Sequence, residues 1–159
     1  MREAIGTTYV LNFIIVFFAL FIFIFIGTLS YTKAFKVKNK IIDIIENHDG
    51  DIEASLGLNM DVENEINSKL NEIGYRISNN QTCETDGRFS DASPINKRGT
   101  STYRYCLYKF TTDRGNYYGV VSYIYFEIPI IGVKLEFPVY GETKVFTELT
   151  KGWMKWMLL

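Results

Sequence analysis

From Ala4 to Thr32 the chain carries no charged side chain, and between Tyr9 and Leu29 the apolar run is broken only by Asn12, Gly27 and Thr28. A run of about 20 apolar residues is what an α-helix needs to cross the hydrocarbon core of a bilayer. The stretch Phe21-Ile-Phe-Ile-Phe-Ile26 has the side chains of a β-strand. An isolated strand in lipid would leave its backbone N–H and C=O groups without partners, so the helix is the expected form. A cleavable signal peptide is the competing reading, with Thr28 and Ser30 as small residues near a cut. Against it, the apolar run exceeds the roughly 7–15 residues of a signal's hydrophobic region, and the basic region before it is Arg2 alone.

With 159 residues, the chain has room for this anchor and one compact domain. The expected division is an N-terminal segment and anchor over residues 1–32 and an α+β domain over residues 33–159. Lys+Arg 17 against Asp+Glu 18 leaves no net field to draw the protein to nucleic acid, which is excluded as a partner. Most of the Tyr lies after Gly74 while Phe clusters near the start, which suggests a lipid-facing segment followed by a tyrosine-rich sheet.

Beyond the apolar run, Ala34, Val37, Ile41 and Ile44 recur at spacings of three and four, with Ile45 alongside. The membrane helix is therefore expected to continue as an amphipathic spine and to stop between Asn47 and Gly50, where Gly50 can take the left-handed conformation. A shorter helix is expected from Asp61 to Ile73, with Asp61 as N-cap, Glu63 and Glu65 in the first turn, Val62, Ile66, Leu70 and Ile73 on one face, and Gly74 as its stop.

Residues Asn79 to Thr100, rich in Asn, Asp, Ser, Gly and Pro, read as an exposed loop. Strands are expected at Ser101–Thr111, Tyr117–Ile128 and Val133–Val139, joined by turns at 112–116 and 129–132. Alternation in Val133-Lys-Leu-Glu-Phe137 places Val133, Leu135 and Phe137 toward the core, with Lys134 and Glu136 toward water. A further strand is expected at Glu142–Thr147, after a bend at Pro138 and Gly141. Pro138 is acceptable only at an edge or a bend. The closing Gly152-Trp-Met-Lys-Trp-Met-Leu-Leu159 is an apolar tail, suited to a partner, to a membrane interface or to packing on the domain.

Two features oppose each other on topology. Lys33, Lys36, Lys38 and Lys40 follow the anchor while Arg2 precedes it, which by the positive-inside rule puts the domain in the cytoplasm. Cys83 and Cys106, the only cysteines, could instead close a disulfide, and disulfides persist outside the cytosol. The exterior placement is the expectation carried forward, with two free thiols as the alternative.

Catalytic constellations are missing from the sequence. His48 is the single histidine and lies at the expected end of the long helix, where a solvated role is expected. Asp49-Gly50-Asp51-Ile52-Glu53 gathers acids without the spacing of an EF-hand loop, and reads as a helix stop. There is no phosphate-cradling glycine motif, paired-cysteine zinc signature or nucleophile elbow. No catalytic residue, cofactor, metal or small-molecule substrate is assigned. Asn80-Gln81-Thr82 matches the N-glycosylation acceptor pattern.

An N-terminal apolar helix that runs on as a spine beneath a small antiparallel sheet resembles the plan of pilins and pseudopilins. The opening Arg2-Glu-Ala-Ile-Gly-Thr-Thr8, Tyr31 just past the apolar run, and the segments Ile128-Pro-Ile-Ile-Gly132 and Val139-Tyr-Gly-Glu-Thr143 look like the TadE-like minor pseudopilins of tight-adherence pilus systems. That family's processing site has a Gly followed, a few residues on, by a Glu; Gly6 is followed here by Thr7-Thr-Tyr-Val-Leu11. The familiar role of that Glu is therefore not transferred. The resemblance implies a non-catalytic structural subunit with the bilayer as one partner and other pilin-like subunits, packed through the N-terminal helix, as the rest. Ala19 and Gly27 are small enough for close helix approach but do not form a GxxxG motif. The alternative is a membrane-anchored binding module that recognises an exterior ligand or partner.

Overall fold

The computed structural model describes residues 2–54, 57–75, 83, 87–89, 92–95, 105–128 and 132–147. One unbroken helix, α1 (Arg2–Asn47), joins the apolar run to the spine. It ends where expected, with Asp49 and Gly50 in the left-handed region (φ 49° and 73°) and the Gly50 N–H returning to the Ile45 carbonyl. Burial along α1 follows the sequence pattern, with Ala34, Val37, Ile41, Ile44 and Ile45 all at 1% exposure or less.

A two-residue hairpin, β1 (Glu53–Ala54) with β2 (Gly57–Leu58), leads into α2 (Met60–Ile73). The α2 cap corrects the sequence expectation by two residues: Asn59, not Asp61, is the N-cap, and its side chain accepts the Asp61 N–H at 3.0 Å. Asp61 and Glu63 occupy the first turn, where acids favour the positive end of the helix dipole. Both residue types cap well, and extended backbone at Asn59 (φ −60°, ψ 134°) decides between them. Gly74 closes the helix at φ 69°. Val62, Ile66 and Leu70 are buried against α1, and Ile73 is packed at the edge of the same core.

The sheet is antiparallel, in the order β3 (Ser93–Pro94), β4 (Tyr105–Thr112), β5 (Gly115–Ile128), β6 (Val133–Glu142). Two expectations fail here. The presumed open loop contributes the edge strand β3, and after a 3₁₀ turn at Gly87–Phe89 it buries Phe89 to 2% exposure. A two-residue strand is too short to show period-two alternation. The strand expected at Glu142–Thr147 is also absent as a separate element: β6 runs through Pro138 and Gly141 to Glu142, and Phe146 makes a single bridge to Asn116. Residues 129–131, Asn80-Gln81-Thr82 and the Gly152–Leu159 tail lie outside the described residues.

Pro138 survives within β6 because that strand is an edge. Its register partner Tyr123 directs both backbone groups away from β6, toward the Tyr75 hydroxyl. Tyr123 and Pro138 therefore exchange no hydrogen bond, and the missing proline N–H falls on the open side.

The sheet divides two cores. One face packs on α1 and α2 through Tyr105, Leu107, Tyr118 and Val120. The other gathers Phe89 and Ala92 with Cys106, Tyr108 and Val121 in a second buried cluster. Phe137 corrects the alternation argument, being 49% exposed although it shares the helix-facing side with Gly141. Among the described residues, β4 pairs with β5 as far as Tyr105–Ser122, while β5 and β6 pair on through Ile128 and Val133. Phe137 pairs with Ile124 on this further stretch of the β5–β6 ladder.

Candidate functional site

The candidate site is the end of the molecule where the domain meets the exposed half of α1. One stretch of α1, near the N-terminus, is long and apolar enough to cross a membrane. Its side chains from Tyr9 to Ile26 lie open, for example Phe13 at 73% and Ile24 at 66% exposure. Leaving a large apolar side chain in water rather than burying it forgoes about 1.5–3 kcal/mol. Over this many residues the forgone burial is large, and an apolar environment, lipid or protein, is the one such a surface suits.

The boundary of that surface is built from specific contacts. Tyr31 and Phe35 stack with ring centroids 6.2 Å apart, and the Lys38 ammonium sits 4.3 Å from the Phe35 ring centre. Such a belt of aromatic rings beside long basic side chains suits the water–lipid interface, where Tyr stays half wet and Lys reaches outward. The domain is fixed to this boundary by the Ser122 hydroxyl, which donates to the Ala34 carbonyl at 2.9 Å from a fully buried position. Lower down, the Lys144 N–H donates to Glu46 Oε1 at 3.0 Å. Gly141 lies so close to α1 that a Cβ there would stand 2.6 Å from Lys38 Cδ and 2.9 Å from Ile42 Cδ1.

The two cysteines singled out by the sequence are brought together. The two form a disulfide with Cα atoms 5.5 Å apart, tying Cys83 to β4 across a separation of 23 residues. The bond lies in the second core, with Cys106 fully buried and Phe89 packed among Tyr108, Phe110 and Tyr140 at centroid distances of 5.2–5.3 Å.

The acids after α1 have structural partners that sequence reasoning missed. The Tyr118 hydroxyl lies 2.9 Å from the Gly50 carbonyl and 2.9 Å from Glu53 Oε1, one donor shared between two acceptors. Lys109 Nζ completes the group at 2.7 Å from Glu53. Burial, and then the hydrogen bond and charge of Glu53, push the Tyr118 phenol well above its ordinary range. This group pins the turn after α1 onto β4 and β5. His48, expected to be solvated alone, pairs with Glu65 at 3.0 Å and links the end of α1 to α2. No signal in the sequence spacing would have found either pairing, since the partners are 17 to 68 residues apart. Among the described residues, no group of three His, Cys, Asp or Glu side chains could hold a metal ion.

At the far end of the sheet, the β4–β5 turn frames an open depression of about 490 Å³ lined by residues 111–116 and Thr147. Comparison with protein-family models, curated proteins and solved structures found no match to this chain.

Proposed function

We propose that this chain is a structural subunit without catalytic activity, held in a membrane by α1 with its sheet domain outside, and that it serves a pilus or related secretion assembly in the manner of a minor pseudopilin. The observation that carries this reading is the division of one continuous helix. Its C-terminal half is the spine of a folded domain, and its N-terminal half is an apolar rod whose large side chains lie exposed among the described residues. A rod of that kind is soluble in lipid and can exchange lipid for the rods of neighbouring subunits, because association within a bilayer depends on packing rather than on escape from water.

The cysteine pair supports the exterior placement, since such bonds persist in oxidising compartments. The lysines at the boundary argue the other way. A photoreactive residue at Ile24, whose side chain is 66% exposed, tests assembly. The expected products are adducts with other helix-anchored subunits, recovered together with a filament or its assembly complex. Mild extraction that returned a lone chain crosslinked to lipid alone would contradict the proposal.

A further inference from the structure

Between Glu3 and Asp43 the chain has no acidic residue, yet Lys33, Lys36, Lys38 and Lys40 follow one another where α1 leaves the apolar run. Two of them have neighbours: Lys38 lies over the Phe35 ring, and Lys40 faces Asp43 at 3.8 Å. Lys33 and Lys36 are exposed, and among the described residues neither makes an ion pair or a hydrogen bond. A spacing of three residues puts their Cβ atoms about 5–6 Å apart on one helical flank, where like charges repel unless an anion sits between them.

The flank follows from the helix. At 3.6 residues per turn, Ile22, Leu29, Lys33 and Lys36 share one side of α1, while Ile24, Tyr31 and Phe35 share the roughly opposite side. Buried Ala34 and Val37 turn toward the domain, so the lysine flank is neither the domain's face nor the aromatic one. Ile22 and Leu29 lie exposed. Lys33 stands about 6 Å beyond Leu29 and Lys36 about 10 Å, at 1.5 Å per residue. The headgroup layer is roughly 5–8 Å thick on each side of the hydrocarbon core. Helical side chains lean toward the N-terminus, here the membrane, so both ammonium groups reach back toward that layer. An apolar strip that suits an acyl chain thus ends in a pair of cations that suits a phosphodiester.

We infer that Lys33 and Lys36 form a headgroup site for an anionic glycerophospholipid, whose acyl chain lies along Leu29 and Ile22. The inference rests on the proposed membrane placement of α1. The site selects by charge. Phosphatidylcholine carries its own ammonium beside the phosphate, whereas phosphatidylglycerol leaves the phosphate charge to the lysines. Near a bilayer surface, each lysine contributes about a fivefold preference for anionic lipid. Such a site works on either side of a bilayer, and it gives these lysines a role that an exterior domain can use.

The full chain, reconstituted in phosphatidylcholine vesicles with its native cysteine pair kept oxidised, tests this with a nitrobenzoxadiazole dye on one introduced cysteine. Ile22→Cys reports the lysine flank and Ile24→Cys the opposite flank. Small, equal fractions of phosphatidylglycerol or phosphatidylcholine, each spin-labelled on the acyl chain, serve as quenchers. The expected result at position 22 is quenching about fivefold stronger or more by the phosphatidylglycerol probe, with the two probes equal at position 24. Lys33→Gln combined with Lys36→Gln should remove the preference at position 22 and leave quenching by the phosphatidylcholine probe unchanged. Lys69→Gln, on α2, should leave the preference intact. Equal quenching by both probes at position 22 overturns the inference and leaves the anchor standing. A preference that survives the paired substitution also overturns it, by assigning the lipid to other cations. A preference of the same size at position 24 does so by making the attraction general to the helix. Quenching by neither probe at either position removes the membrane placement and the inference with it.

Discussion

The Tyr75 hydroxyl donates to the Tyr123 carbonyl at 3.0 Å and accepts the Tyr123 N–H at 2.6 Å. It serves both ladder groups of β5 immediately past the point where β4 ends at Tyr105. One side chain just past α2 thus takes the place of a strand partner at this position of β5.

Tyr75→Phe removes that hydroxyl and leaves an N–H and a C=O unpaired in a half-buried site. Unsatisfied buried polar groups cost about 1–3 kcal/mol each, partly recovered here by water. The expected outcome is a fall in stability of about 1–3 kcal/mol, read as a lower denaturant midpoint for the detergent-solubilised chain with an unchanged slope.

Two glycines face crowded surfaces, with different expected consequences. A Cβ at Gly119 would stand 2.9 Å from the rings of Phe89 and Phe110, and Phe89 is buried and held among three other rings. A Cβ at Gly141 meets the flexible stem of Lys38 and the end of Ile42. Gly119→Ala is expected to cost about 1–3 kcal/mol through overpacking. Gly141→Ala should cost less, because the lysine stem can move aside. Equal losses in paired denaturation curves would contradict this account of the two cores.

The raised pKa of Tyr118 predicts a loss of stability at high pH. The folded state favours the neutral phenol, so this contribution is fully present below the unfolded value near 10 and is lost as pH rises through the raised folded value. Denaturant midpoints measured upward from pH 9 should fall more steeply for the native chain than for Tyr118→Phe. The same slope in both would assign the fall to other groups.

Reduction of the Cys83–Cys106 bond should destabilise the domain by about 3 kcal/mol in the chain-entropy model. The second core should loosen first, as faster hydrogen exchange at Cys106 and Tyr108 than at Val120.

The helices were legible from sequence because their signals are local: a charge-free run, a three-and-four spacing, and glycines at both stops. The two long central strands were legible for the same reason. β3 was not, because two residues carry no alternation, and neither was the continuity of β6, because Pro138 and Gly141 signal a bend unless it is known that the strand is an edge closely packed on α1. Phe137 obeys its alternation yet stays half exposed, since period two specifies a face and not whether anything covers it. The apolar run of α1 could be read directly, whereas the level at which the sheet sits on α1 depends on Ser122 and Gly141, which only the folded chain supplies.

The central claim is that α1 spans a membrane and holds the domain outside. Protease treatment of intact, wall-stripped cells carrying a C-terminally tagged copy tests it directly, with non-reducing electrophoresis of the same sample. The account predicts a digested tag and an oxidised Cys83–Cys106 pair. A protected tag with free thiols would place the domain inside, in accord with Lys33, Lys36, Lys38 and Lys40, and would contradict the proposed function.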